Sequence, residues 1–262
     1  VFKIVRDYFD MKLIKTSDIS SKKNNIFCYH PHGVVPFGMY CALNSNACGF
    51  DDLFPGIRLN MKGIAYNLIH PLLRELALYF GAQSISRESM LETLRVPGNS
   101  VGISVGGGAE MMLAVPNTAK LVIKNRFGFV KIALETGSDL VPVYAFGENE
   151  VYNQDPVDQK SFNFRIRRWL YKKTNFFLPS ISGRGIFPNT KGIFPNNVPI
   201  RIVVGKPINV EKVDNPTDEQ IKELHSKYCG ELEALYNQYK DDFWYDSSTC
   251  PSKIEFLANP LK

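Results

Sequence analysis

The sequence predicts an α/β fold, a central mixed β-sheet flanked by helices, on three observations. Short Val- and Ile-rich runs alternate with segments whose apolar residues recur every three or four positions. Hydrophobic residues make up 44% of the 262 and charged residues 22%, the balance of a chain with a packed core, which excludes wholesale disorder. No composition shift marks a linker, so residues 1–262 read as a single domain.

Taken in order, residues 26–29 form a short apolar run that stops at His30-Pro31-His32-Gly33. The periodicity predicts a helix over 64–80, with Leu68, Leu72, Leu76 and Phe80 on one stripe and a kink at Pro71. Residues 100–105 read as a strand running into Gly106-Gly107-Gly108, and 120–123, 140–146 and 200–204 are further strands rich in Val and Ile. A short helix spans 127–136, closed by Gly137 at the position that favours a left-handed residue. Gly185-Ile186-Phe187-Pro188-Asn189 and Gly192-Ile193-Phe194-Pro195-Asn196 echo one another as two turns presenting Phe187 and Phe194 alike. The last helix is the clearest. Thr217 and Gln220 form a capping box after Pro216, and Ile221, Leu224, Tyr228, Leu232, Leu235 and Tyr239 face the sheet, with His225 at the flank.

Composition narrows the partners. Lys and Arg total 31 against 26 Asp and Glu, a net +5 too small to mark a nucleic-acid binder, though it suits anionic co-substrates or an anionic membrane face. The five cysteines lack a C-x-x-C pair and read as reduced thiols, and no N-x-[ST] sequon occurs. No window offers the roughly 18 apolar residues of a spanning helix. The chain opens at Val1 without Met or signal peptide, so a piece of a longer protein is expected, with room for a membrane anchor ahead of it.

His30-Pro31-His32-Gly33, directly after a strand, is the sharpest chemical signal. Histidine titrates nearest neutrality and suits proton removal from a hydroxyl, and Gly33 lets substrate approach. Two structural histidines, or a metal pair, are the alternatives; zinc would need further ligands, and only His70 and His225 remain, so no metal is expected. Val105-Gly106-Gly107-Gly108-Ala109-Glu110 ends a strand in glycines and a carboxylate. Free backbone N–H groups there suit an oxyanion, and Glu110 could orient and charge-balance an imidazole; the plain alternative is a turn.

Gly102-Ile103-Ser104-Val105-Gly106 matches the G-x-S-x-G nucleophile elbow, yet Ser104 lies in an apolar strand and only His225 follows as a base. No G-x-G-x-x-G or Walker lysine pattern occurs. Arg126-Phe127-Gly128-Phe129, with Lys124 and Lys131, suits the phosphates of a CoA thioester or is a solvated basic face. In 160–178, Lys160, Arg165, Arg167, Arg168, Lys172 and Lys173 interleave with Phe162, Phe164, Trp169, Tyr171, Phe176 and Phe177. That mixture suits a lipid headgroup interface better than nucleic acid.

Together these residues resemble the type-2 diacylglycerol acyltransferase family, which includes monoacylglycerol acyltransferases and wax synthases. The resemblance runs through Arg6-Asp7-Tyr8-Phe9, Tyr29-His30-Pro31-His32-Gly33, Phe54-Pro55-Gly56-Ile57, Ser86-Arg87-Glu88-Ser89 and Gly106-Gly107-Gly108-Ala109-Glu110. It continues through Arg126-Phe127-Gly128-Phe129, Val141-Pro142-Val143, Phe146-Gly147-Glu148-Asn149, Gly183-Arg184-Gly185 and Val204-Gly205-Lys206-Pro207-Ile208.

The resemblance implies a glycerolipid-acyltransferase-like fold and an acyl-CoA-dependent O-acyltransferase making triacylglycerol, with acyl-CoA as co-substrate and no cofactor. It implies the cytosolic face of the endoplasmic reticulum membrane and lipid droplets, a membrane hairpin ahead of this region, and allows a homo-oligomer. Monoacylglycerol and long-chain alcohols remain alternative acceptors, and a serine esterase or a lipid-surface binding protein are the rivals. By resemblance, His32, Glu110 and His30 are catalytic. Gly33, Gly106, Gly107, Gly108, Arg126, Gly128, Phe129, Glu148, Asn149 and Arg184 bind substrate. The more distant H-x-x-x-x-D pattern is absent, since Val35 and Phe37 stand five residues after the histidines, which leaves Glu110 as the acid.

Overall fold

The structure, a computed structural model, describes residues 1–63, 75, 81, 83–154, 161–174, 180–187 and 190–260. Its strands are β1 (Lys12–Lys15), β2 (Asn25–His30), β3 (Arg58–Gly63), β4 (Gln83–Ser84), β5 (Asn99–Ser104), β6 (Lys120–Val122), β7 (Asp139–Phe146), β8 (Asn153–Gln154), β9 (Ile181–Arg184), β10 (Lys191–Gly192), β11 (Arg201–Val204) and β12 (Glu255–Leu257). Seven form one sheet in the order β1-β11-β7-β2-β5-β3-β4. β11 runs antiparallel to β7 while β7, β2, β5, β3 and β4 run parallel, so the sheet is mixed, as the sequence predicts.

β2 lies at the centre, and all six of its residues are buried. A parallel strand covered on both faces reads as a continuous apolar run, which is how residues 26–29 stand out. Side chains alternate across the sheet. Ile26 and Cys28 join the core beneath the helices Arg87–Leu94, Gly128–Thr136 and Asp218–Phe243. Phe27 and Tyr29 join the opposite core, with Phe9, Met39 and Phe50.

The helix ends follow the sequence chemistry. Gly137 closes Gly128–Thr136 at φ 68°, and Thr217 with Gln220 makes the capping box of Asp218–Phe243. Ser86 caps Arg87–Leu94 by accepting the Ser89 N–H. The strand expected at 120–123 forms as β6, which pairs with β12 in a separate two-stranded ladder. Two expectations change. His225 is buried rather than at a solvent flank, its Nε2 3.0 Å from the Ile123 carbonyl. Phe187 and Phe194 are both exposed but not equivalent, since Phe194 bridges to Arg184 whereas the Phe187 carbonyl accepts the Thr190 N–H in a turn. The helix expected over 64–80, with His70, lies outside the described residues except at 75.

Candidate active site

The site begins where β2 leaves the sheet. Alternation sends His30 to the same face as Ile26 and Cys28, towards the C-terminal helix, and there its Nε2 lies 2.9 Å from Tyr228 Oη. The ring is fully buried, its Nδ1 has no partner among the described residues, and burial pushes its pKa down to about 3. His30 is therefore a neutral imidazole enclosed in the core against the C-terminal helix.

His32 lies beyond the strand and is half-buried. Its Nδ1 is 3.0 Å from the Gly33 carbonyl, an acceptor only, so Nδ1 carries the hydrogen and Nε2 keeps its lone pair. Nε2 has no hydrogen-bond partner among the described residues. Burial lowers the imidazole pKa against a smaller opposing pull from the Gly33 carbonyl, so the ring is neutral near pH 7.

Glu110 reaches this loop from the turn after β5. Its Oε2 accepts the main-chain N–H of His32 at 2.8 Å and its Oε1 accepts that of Val122 at 2.7 Å. Glu110 thus meets His32 at its main chain rather than at its ring, each carboxylate oxygen accepting one peptide N–H. The side chain folds back over Gly106, where any Cβ would overlap the Glu110 carboxyl group, so glycine is required by space. Burial raises the Glu110 pKa to about 7, opposed by its two peptide donors and, more weakly, by Arg126. The Arg126 guanidinium itself donates to the Gly106 carbonyl at 3.1 Å.

A second buried carboxylate, Glu148, holds the far side of the same loop. It accepts the Phe37 N–H at 2.7 Å, the Gly38 N–H at 3.1 Å and the Tyr29 hydroxyl. Asn149 beside it is also buried, its amide donating to the Thr118 carbonyl at 3.0 Å. Both were expected to bind substrate; their partners are protein groups.

The family profile described as Diacylglycerol acyltransferase matches residues 1–250. The chain belongs to the diacylglycerol acyltransferase family. It is 41% identical over 249 residues to Diacylglycerol O-acyltransferase 2A of Umbelopsis ramanniana, covering 94% of this chain and 70% of that protein. It is 40% identical over 251 residues to Diacylglycerol O-acyltransferase 2 of Danio rerio, covering 95% and 70%. Among solved structures, the 1-acyl-sn-glycerophosphate acyltransferase PlsC of Thermotoga maritima aligns over 89% of this chain and 81% of its own at a TM-score of 0.43 and 11% identity.

Within this member of the diacylglycerol acyltransferase family, the remaining expected site residues divide. A Cβ on Gly107 or Gly128 would meet nothing within 4 Å, so the main chain there is approachable. Gly108 is buried at the start of the Gly108–Met111 helix. Phe129 is core, its ring 5.1 Å from that of Tyr228. Arg184 lies on β9 in a separate three-stranded sheet, its guanidinium 5.9 Å from the centre of the Tyr8 ring. Ser104 is the last residue of β5 and its hydroxyl is buried without a partner among the described residues, which does not fit a nucleophile elbow. Sequence reasoning missed Tyr29 and Tyr228 as polar partners; a tyrosine in an otherwise apolar stripe needs its hydroxyl paired, and that signal was available.

Proposed function

We propose that this protein transfers a fatty acyl group from acyl-CoA to the free hydroxyl of diacylglycerol, with His32 as general base. The observation that carries the mechanism is the half-buried His32 with Nδ1 committed to Gly33 and Nε2 open. Nε2 takes the hydroxyl proton as the oxygen attacks the thioester carbonyl; the carbon–sulfur bond then breaks, and the CoA sulfur leaves with the proton from the imidazolium. The approachable main chain at Gly107 is suited to the developing oxyanion, and Arg126 to a CoA phosphate.

The same reading places the reaction at a membrane surface of the endoplasmic reticulum or a lipid droplet. Among the described residues no helix is long and apolar enough to cross a membrane. The helix Phe162–Thr174 instead exposes Phe162, Ile166 and Trp169 at spacings that align them on one stripe, beside exposed Arg165 and Lys173. Its buried Phe164 packs with Ala109, Met112 and Val122, residues flanking Glu110 or bonded to it. A lipid-seated helix is therefore a neighbour of the reacting loop.

The test assays wild type and His32→Ala in membranes with labelled acyl-CoA, offering diacylglycerol, monoacylglycerol and a long-chain alcohol in competition. The expected result is triacylglycerol as the main product and a loss of about a hundredfold or more in the variant. Near-normal synthesis by His32→Ala would end the assignment of the base, and a different main product would end that of the acceptor.

A further inference from the structure

We infer that Glu148 is a positioning residue for His32, acting through Gly33; the inference rests on the reading of His32 as the base. Glu148 does not touch the imidazole. It gathers three donors, the Tyr29 hydroxyl and the N–H groups of Phe37 and Gly38, and so fixes the chain that leaves His32. Its own stem and carbonyl stand where a side chain on Gly33 would go, with Cγ at 3.0 Å and the carbonyl oxygen at 3.1 Å from a Cβ built there. Gly33 has φ +62° and is buried against that wall.

The Gly33 carbonyl is the group that accepts the His32 Nδ1 hydrogen, so whatever sets Gly33 sets the ring and the direction of Nε2. Glu110 pins the loop at the His32 N–H, and Glu148 pins it from Gly33 to Gly38. The two glutamates come from turns after different strands, β5 and β7. The base is thus held between two independent anchors, and its aim depends on both. A carboxylate is needed at 148 because three donors converge there. A carboxamide has one acceptor oxygen, and its NH₂ would face a peptide N–H.

The test compares the full-length enzyme as wild type, Glu148→Gln, Tyr29→Phe, His32→Ala and the double variant His32→Ala with Glu148→Gln, measuring kcat and both KM values. Glu148→Gln is expected to lower kcat roughly tenfold to a hundredfold, the effect of a misaimed catalytic group, with KM for acyl-CoA and diacylglycerol within about twofold. Tyr29→Phe, which removes one of the three donors, is expected to lower kcat by about threefold to tenfold. In the His32→Ala background Glu148→Gln is expected to cost nothing more, because there is no ring left to aim. An unchanged kcat in Glu148→Gln, or the same factor in both backgrounds, overturns the inference. Should Glu148→Gln not fold, an unchanged kcat in Tyr29→Phe overturns it. A fully active His32→Ala is a different failure, that of the base assignment itself, and it removes the inference with it.

Discussion

The main-chain N–H of His32 and that of Val122 donate to the two oxygens of one buried carboxylate, Glu110, at 2.8 and 2.7 Å. The carboxylate ties the loop that carries His32 to β6, two segments far apart in the chain. A carboxamide can accept only one of these donors, and the other is left buried and unpaired. Glu110→Gln is expected to lose about 1–3 kcal/mol of unfolding free energy, read from urea titrations, and to lower kcat at least tenfold in the acyl-transfer assay. A variant as stable and as active as wild type would refute the bridge.

Gly106 tests the same bridge from the other side. A methyl group at 106 occupies the space of the Glu110 carboxyl, so Gly106→Ala must push that carboxylate off its two donors. The expected loss of activity is comparable with that of Glu110→Ala, and combining the two substitutions should cost little more than either alone. Additive losses in rate would mean that Gly106 serves substrate directly.

The central strands and the capped helices could be read from residue patterns because their causes are local. β2 and β7 are continuous apolar runs, and Gly137, Thr217 and Gln220 are end signals of known chemistry. β3 was not legible. Its run Arg58–Gly63 is half polar, and its buried Lys62 is tolerated only because Gln83, Ser89 and Thr93, distant in sequence, supply oxygens to the ammonium. β1 carries a lysine at each end, as suits an edge strand, and so hides from an apolar search. In the site, the union of the histidine motif with the glycine-glutamate motif was legible, but which atom of His32 meets Glu110 was not. That is set by the fold of a side chain over Gly106 and by the register of the β5 turn against β6. The burial of His30, by contrast, follows from period two alone, which groups it with Ile26 and Cys28.

Glu110 also predicts how the cost of its loss varies with pH. Its pKa is about 7 in the folded protein, against an ordinary glutamate value of about 4.3 in the unfolded chain. Between those values the folded state holds a proton that the unfolded state has released, so the contribution of Glu110 to stability is full below about pH 4.3 and is lost as pH rises through 7. The buried histidines, with lowered values, act in the opposite sense over part of the same window, so the wild-type curve alone does not isolate it. The difference between wild type and Glu110→Gln does. The destabilisation caused by the substitution is expected to be larger at pH 5 than at pH 8, at a rate of about 1.4 kcal/mol per unit of pKa displacement. The reverse trend in urea titrations at the two pH values would mean that the two peptide donors, rather than burial, govern this carboxylate.

The exposed stripe of the Phe162–Thr174 helix yields a prediction that does not pass through the chemistry. Phe162 and Trp169 are 72% and 61% exposed, an unusual state for large apolar side chains in water, while Phe164 on the same helix is buried against the Glu110 turn. Replacing Phe162, Ile166 and Trp169 together by serine removes apolar area that would enter the headgroup boundary without touching the packed side. Binding to vesicles containing anionic phospholipid is expected to weaken by at least about tenfold, because each large apolar side chain buried contributes on the order of 1.5–3 kcal/mol. Replacing Arg165 and Lys173 by glutamine should weaken binding less and reduce its sensitivity to salt, since these side chains act by charge alone. Thermal unfolding of both variants should stay close to that of wild type. Undiminished vesicle binding by the triple variant would refute a lipid-facing role for this stripe.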